Sequence, residues 1–197
     1  MLIGGKKELQ MISKKTLFHS KISGFYRLDF NVVSDPRGSF NQWFSDDGHT
    51  EVANFPRIKQ ANMSTSVRGV VRGIHFSDPT HPQYKLVTCT NGSIIDYGVD
   101  LRKSSSTFGS FDCFELGENS GSSVIIEAGI GHAFEVLSES ATIVYLLSEV
   151  WKPHLEYTIN VFDDEINVPW KTKNPILSDR DKFALNLKEF KSTVDFL

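Results

Sequence analysis

Val70-Val71-Arg72-Gly73-Ile74-His75-Phe76, inside the longer stretch 66–102, decides how the chain is read. Val, Ile and Phe favour a pleated, half-buried strand. On a strictly alternating strand, residues three apart face opposite sides, which would separate Arg72 from His75. A glycine within a strand often marks a bulge, and one extra residue at Gly73 brings both side chains to one face. The run is therefore read as a strand bulged at Gly73, with Arg72 and His75 looking into one pocket.

Working outward, residues 84–90 and 93–101 are strand-like runs joined across Asn91-Gly92, a strong hairpin signal. Asp78-Pro79-Thr80-His81-Pro82 reads as a loop. Upstream, residues 57–66 alternate weakly and residues 24–33 form a strand pattern. Ser34-Asp35-Pro36-Arg37-Gly38 is a turn cluster, followed by an aromatic run at 40–44 and a polar, loop-like stretch at 45–54. Further strands are expected at 108–116, 123–127, 133–137 and 141–147. Past Trp151 the pattern turns patchy, with one short helix expected within 181–190. About ten short strands without a long helix or an internal repeat predict an all-β sandwich or barrel. Residues 1–15 read as a mobile lead-in and 16–197 as a single domain.

With 197 residues, 40% of them hydrophobic and 15 of them Phe, the chain carries enough apolar surface for a packed core. A formal net charge of -3, with signs mixed, gives no electrostatic case for nucleic acid or an acidic membrane surface. No apolar run approaches the ~20 residues that span a bilayer. The N-terminal residues lack the apolar core and cleavage site of a secretory signal. Cys89 and Cys113, each in a strand-like run, read as buried free thiols of a reducing compartment, so the protein is expected in the cytoplasm.

Of the six histidines, His75 and His132 alone sit within or beside apolar strand patterns. A lone histidine there is usually a satisfied core residue; two of them, with Arg72, Lys85 and Tyr145 on neighbouring strands, suggest a pocket for a polar, anionic ligand. A metal site in a small barrel commonly needs a His-x-His pair. His75 is followed by Phe76-Ser77, so that pair is absent and no metal is expected. There is no Gly-x-Ser-x-Gly elbow and no glycine-rich phosphate loop. Acid–base chemistry remains, with His75 as base and a phenol such as Tyr145 as partner.

These residues resemble a known family, the dTDP-4-dehydrorhamnose 3,5-epimerases. The likeness runs through Ser66-Val67-Arg68-Gly69-Val70-Val71-Arg72-Gly73-Ile74-His75-Phe76, Gln83-Tyr84-Lys85-Leu86-Val87 and residues 92–102. It resumes at Gly129-Ile130-Gly131-His132-Ala133-Phe134, at Tyr145 and at residues 175–181, and Asp35-Pro36-Arg37-Gly38-Ser39-Phe40 looks like the family's early element. The resemblance implies a cupin-type jelly-roll barrel with short peripheral helices, assembled as a homodimer. It implies an isomerase without metal or cofactor, acting on a nucleoside-diphosphate 4-keto-6-deoxy sugar in rhamnose-type deoxysugar biosynthesis.

Carried over position by position, His75 resembles the base, Tyr145 the acid on the opposite face, and Asp181 the carboxylate partner of His75, with Asp164 as the rival. Lys85 and Arg72 match cations around the ketone and diphosphate, and Arg37, Gln60, Asn62 and His132 fall at substrate-pocket positions. Three positions depart from the pattern. Trp151 stands where a second tyrosine is usual near the sugar, Gln42 where a glutamate is usual near the nucleotide, and Ser77 where a glutamine is usual. An indole is no comparable proton source, so inversion at C3 or C5 alone stands beside inversion at both. The alternatives from other classes are a metal-dependent oxygenase of the same fold and a non-catalytic sugar-nucleotide binder.

Overall fold

Face-to-face packing of two antiparallel sheets organises the described residues, 15–45 and 55–197, of the computed structural model. The six-stranded sheet contains, in spatial order, β1 (Lys15–His19), β2 (Phe25–Phe30), β10 (Ser122–Ile126), β7 (Lys85–Asn91), β12 (Ser140–Leu147) and β5 (Gln60–Val67). The five-stranded sheet runs β13 (Glu156–Thr158), β6 (Val71–Ser77), β11 (Ile130–Val136), β8 (Ser93–Asp100) and β9 (Phe111–Gly117). A separate hairpin pairs β3 (Val32–Asp35) with β4 (Gly38–Asn41). Two short helices follow, α1 (Asp179–Lys182) and α2 (Leu187–Lys191). The all-β expectation holds, with more strands than the ten or so anticipated.

Side-chain alternation divides the apolar residues among three layers. Inward residues of both sheets, among them Phe25, Val87, Val124, Ile126, Phe134 and Ile143, meet between the sheets. Their outward neighbours Leu86, Ile125 and Leu146 pack behind the six-stranded sheet with Trp43, Phe44 and Phe55. Ile74, Phe76, Tyr97 and Val99 pack behind the five-stranded sheet under α2 and the C-terminal Leu197. Period-two alternation places one set of side chains in each layer.

The bulge lies where the glycine placed it. On β11, His132 pairs with His75 and Phe134 with Arg72, so two residues of β11 are spanned by three of β6. Gly73 has φ +123°, and a Cβ there would lie 2.5 Å from both the Ala133 Cβ and the His132 carbonyl oxygen. The extra residue turns Ile74 and Phe76 to the outer layer and returns His75 to the same side as Arg72.

Several boundaries differ from expectation. The hairpin expected across Asn91-Gly92 does not form: β7 lies in one sheet and β8 in the other. A two-residue hairpin turn of the favoured kind needs positive φ at both central residues, and Gly92 has it while Asn91 does not. The dipeptide is a corner between sheets. The strand expected over 24–33 breaks at Asn31 into β2 and β3, and the single helix expected in 181–190 is two short ones. α2 starts at a capping box made by Asn186 and Glu189. Lys15, assigned to the lead-in, opens β1 and pairs with Phe30. Residues 1–14 of that lead-in, and 46–54 of the polar stretch with His49, lie outside the described residues. Cys89 is buried as expected, but Cys113 is exposed on the edge strand β9. Among the described residues no helix is long and apolar enough to cross a membrane.

Gly73→Ala tests the bulge. Left-handed backbone strain of about 1–3 kcal/mol adds to the steric overlap with β11, so the variant loses at least about 2 kcal/mol in urea unfolding. An unchanged midpoint would contradict the close approach.

Candidate active site

A cavity of about 590 Å³ opens between the two sheets at one end. The five-stranded sheet contributes Arg72 and His75 from β6, His132 from β11 and Glu156 from β13. Facing them, the six-stranded sheet contributes Gln60 and Asn62 from β5, Lys85 from β7 and Tyr145 from β12. Trp151 and Arg180 sit at the rim. His75 and Tyr145 thus approach the enclosed space from opposite walls.

Behind His75 lies a carboxylate. His75 Nε2 is 2.6 Å from Asp181 Oδ1, and the Asp181 side chain is only 2% exposed. Asp164 is exposed, which makes Asp181 the partner of His75. Burial alone raises the Asp181 carboxyl, but hydrogen bonding and charge from His75, with further bonds from the Ser178 hydroxyl and the Gly73 amide, hold it below the usual carboxylate range. A carboxylate bonded to one imidazole nitrogen fixes the tautomer and leaves the other, Nδ1, as the basic atom. Backbone pairing delivers Asp181 to this place. The Ile176 amide donates to the Gly69 carbonyl at 2.9 Å and the Val71 amide to the Ile176 carbonyl at 3.2 Å, seating the segment before α1 beside β6.

A second histidine–carboxylate pair stands alongside. His132 Nε2 lies 2.8 Å from Asp96 Oδ2, both groups are buried, and His132 is the cross-strand partner of His75. Burial raises the Asp96 carboxyl despite the nearby His132 and Lys85, and its Oδ1 has no hydrogen-bond partner. Burial also pulls Lys85 below the usual lysine range, opposed chiefly by the charges of Glu156 and then Asp96. Burial raises the Glu156 carboxyl, but Lys85, a hydrogen bond from the Trp151 indole, His75 and Arg180 more than reverse that. Arg180 Nη1 is 3.4 Å from the same carboxylate.

The cavity therefore unites His75, Tyr145, Lys85, Gln60, Asn62, Arg72, His132 and Trp151, with Asp181 directly behind. Arg37 and Gln42 do not line it. Arg37 lies on the exposed turn of the β3–β4 hairpin, paired with Asp35. Sequence reasoning missed Asp96, Glu156 and Arg180 as site residues. Asp96 carried a signal, a lone carboxylate in the apolar run Ile94-Ile95-Asp96-Tyr97; Glu156 carried none in its patchy surroundings. The Cys89 thiol, pushed by burial up to about 11, does not line the cavity. Among the described residues no three His, Cys, Asp or Glu side chains converge as metal ligands.

Residues 19–189 match the family model described as dTDP-4-dehydrorhamnose 3,5-epimerase. A dTDP-4-dehydrorhamnose 3-epimerase of Streptomyces niveus is 42% identical over 169 residues, 85% of this chain and 82% of that protein. The crystal structure of NovW, a 4-keto-6-deoxy sugar epimerase from the novobiocin biosynthetic gene cluster of Streptomyces spheroides, superposes with TM-score 0.87 at 40% identity, covering 91% of each chain. A dTDP-6-deoxy-D-glucose-3,5-epimerase of Legionella pneumophila, solved with dTDP-4-keto-L-rhamnose, gives TM-score 0.86 at 27% identity, covering 91% of this chain and 96% of that one.

The charge balance yields a measurable consequence. Glu156→Gln removes the leading influence that keeps Lys85 protonated. The Lys85 titration, followed by NMR at its side-chain carbon, then moves to lower pH; an unmoved midpoint would contradict the coupling.

Proposed function

The chain belongs to the dTDP-4-dehydrorhamnose 3,5-epimerase family, a cupin jelly-roll isomerase family, and we propose that it inverts ring carbons next to the ketone of a dTDP-4-keto-6-deoxyhexose, in rhamnose-type or related deoxysugar biosynthesis. The observation that carries this reading is the placement of His75 and Tyr145 on opposite sheets across one cavity. Inversion requires a proton to leave one face of a carbon and another to arrive on the opposite face. His75 Nδ1, with Nε2 held by Asp181, takes the proton beside the C4 ketone. The electron pair of that C–H bond flows into the ketone, giving an enolate whose oxygen faces Lys85. Tyr145 then gives its phenolic proton to the carbon from the other wall. The substrate's own ketone acidifies the protons that move, so the chemistry draws on no cofactor.

An ammonium at a developing oxyanion is worth most when buried, since low local polarity strengthens the interaction. Lys85 is 7% exposed. Removing one such donor typically costs about 3–4 kcal/mol of barrier. Arg72 and Arg180 supply positive charge for the diphosphate. Arg37 and Gln42 do not reach this cavity from their own hairpin. Met63 and Val67 are exposed on β5, the edge strand of its sheet. These placements support a homodimer in which the hairpin of one copy serves the cavity of the other.

A specific observation favours inversion at a single centre. The Trp151 indole N–H donates to Glu156, and Tyr145 is the single phenol among the cavity's described residues. Inversion at both carbons would require Tyr145 to deliver a proton twice, recharged from solvent in between, because the indole supplies none.

Incubation with dTDP-4-keto-6-deoxyglucose in heavy water, read by NMR, tests the reading. Deuterium enters at C3 or C5 alone if one centre is inverted and at both C3 and C5 if both are. Deuterium at neither carbon would overturn the assignment. His75→Ala lowers the exchange rate by about 10²–10⁴-fold, as loss of a general base does; retained exchange would remove His75 from that role.

A further inference from the structure

Asp181 is carried by a helix of four residues, and a single helical turn does not hold its own shape in water. Its geometry is set from outside. Ser178 is the N-cap, and its side-chain oxygen accepts the Asp181 amide proton at 3.2 Å. The Ser178 carbonyl accepts from the Lys182 amide at 2.9 Å, closing the turn. Gly69 and Val71 anchor the preceding Ile176 by backbone pairing. Asp181, delivered there, places one carboxylate oxygen on His75 Nε2.

We infer that Ser178, which does not line the cavity, is a positioning residue for the base. Its oxygen accepts the Asp181 amide proton at the helix start, which leaves its hydroxyl proton to be given to the carboxylate of the same residue. Together with the Gly73 amide at the bulge, it fixes the carboxylate in the orientation that keeps the proton of His75 on Nε2 and the lone pair on Nδ1. Hydrogen bonds from Ser178 and Gly73 to the carboxylate contribute to its depressed pKa, in keeping with an acceptor that stays ionised. The inference rests on His75 being the base. The charged and titratable groups around His75 are Asp181 and Arg180 from α1, Glu156 from β13, His132 from β11, Arg72 on its own strand, and Lys85 and Tyr145 across the cavity.

The test compares the wild type, Ser178→Ala and Ser178→Thr by deuterium wash-in to dTDP-4-keto-6-deoxyglucose across pH, and by ¹⁵N NMR of the His75 ring without substrate. Circular dichroism establishes that each variant is folded. Losing an outer partner of a histidine–carboxylate pair typically costs about 10–100-fold, so Ser178→Ala lowers kcat about tenfold with KM little changed. Its acid limb moves to lower pH, because a carboxylate no longer aimed at Nε2 stabilises the imidazolium less. The ring shifts of His75 change from the Nε2–H tautomer to a mixture. Ser178→Thr, which keeps the hydroxyl, restores rate, limb and tautomer. Wild-type kinetics and an unchanged tautomer in Ser178→Ala overturn the inference and leave the proposed function standing, as does a loss that threonine fails to restore. Absence of wash-in by the wild type overturns the proposed function; the tautomer comparison alone then decides the role of Ser178.

Discussion

One extra residue on β6 sets the geometry of the cavity. Without the offset at Gly73, Arg72 would share a face with Ile74 and Phe76, and His75 would lie opposite. With it, three residues of β6 span two of β11, both polar side chains turn inward, and the apolar neighbours fill the layer behind. The same bulge hydrogen-bonds the Asp181 carboxylate through the Gly73 amide. A backbone irregularity thus orients the imidazole and helps to hold its partner. Glycine is needed there because β11 leaves no room for a Cβ.

The two sheets then divide the work. The five-stranded sheet presents the imidazoles, each backed by a buried carboxylate, and the six-stranded sheet presents a phenol and a buried ammonium. Burying Lys85 is tolerable because Glu156 and Asp96 supply opposing charge nearby. Glu156 also ties Trp151 and Arg180 at the rim, so one carboxylate links the buried cation to the mouth of the cavity. Opposed walls suit a reaction that removes a proton from one face of a carbon and returns one to the other.

Much of this was legible in the chain because the signals were local. Short apolar runs between turn clusters gave the all-β class, and a glycine between Arg72 and His75 gave the bulge and their shared cavity. Signals that depend on tertiary partners were harder to read. Asn91-Gly92 looked like a hairpin because sequence shows adjacency, not which sheet each strand joins. Asp181 lies 106 residues beyond His75 and stood out by family resemblance alone. Glu156 was hidden in a three-residue strand with no alternation to read, and Asp96, a lone carboxylate in an apolar run, gave no sign of its partner His132 on another strand. Arg37 matched the family's early element and Gln42 departed from it, and neither lines the cavity, because resemblance along the chain does not show where a hairpin lies in space.

The central claim is that base and acid act from opposite sides of the substrate, and Tyr145→Phe tests it most directly. Incubated with dTDP-4-keto-6-deoxyglucose in heavy water, this variant keeps His75 and its carboxylate but lacks the phenolic proton of the facing wall. The account predicts continued deuterium entry at the carbon served by His75, with the original configuration retained and the epimer formed slowly. Loss of exchange and inversion to the same degree, or full inversion without the phenol, would contradict it.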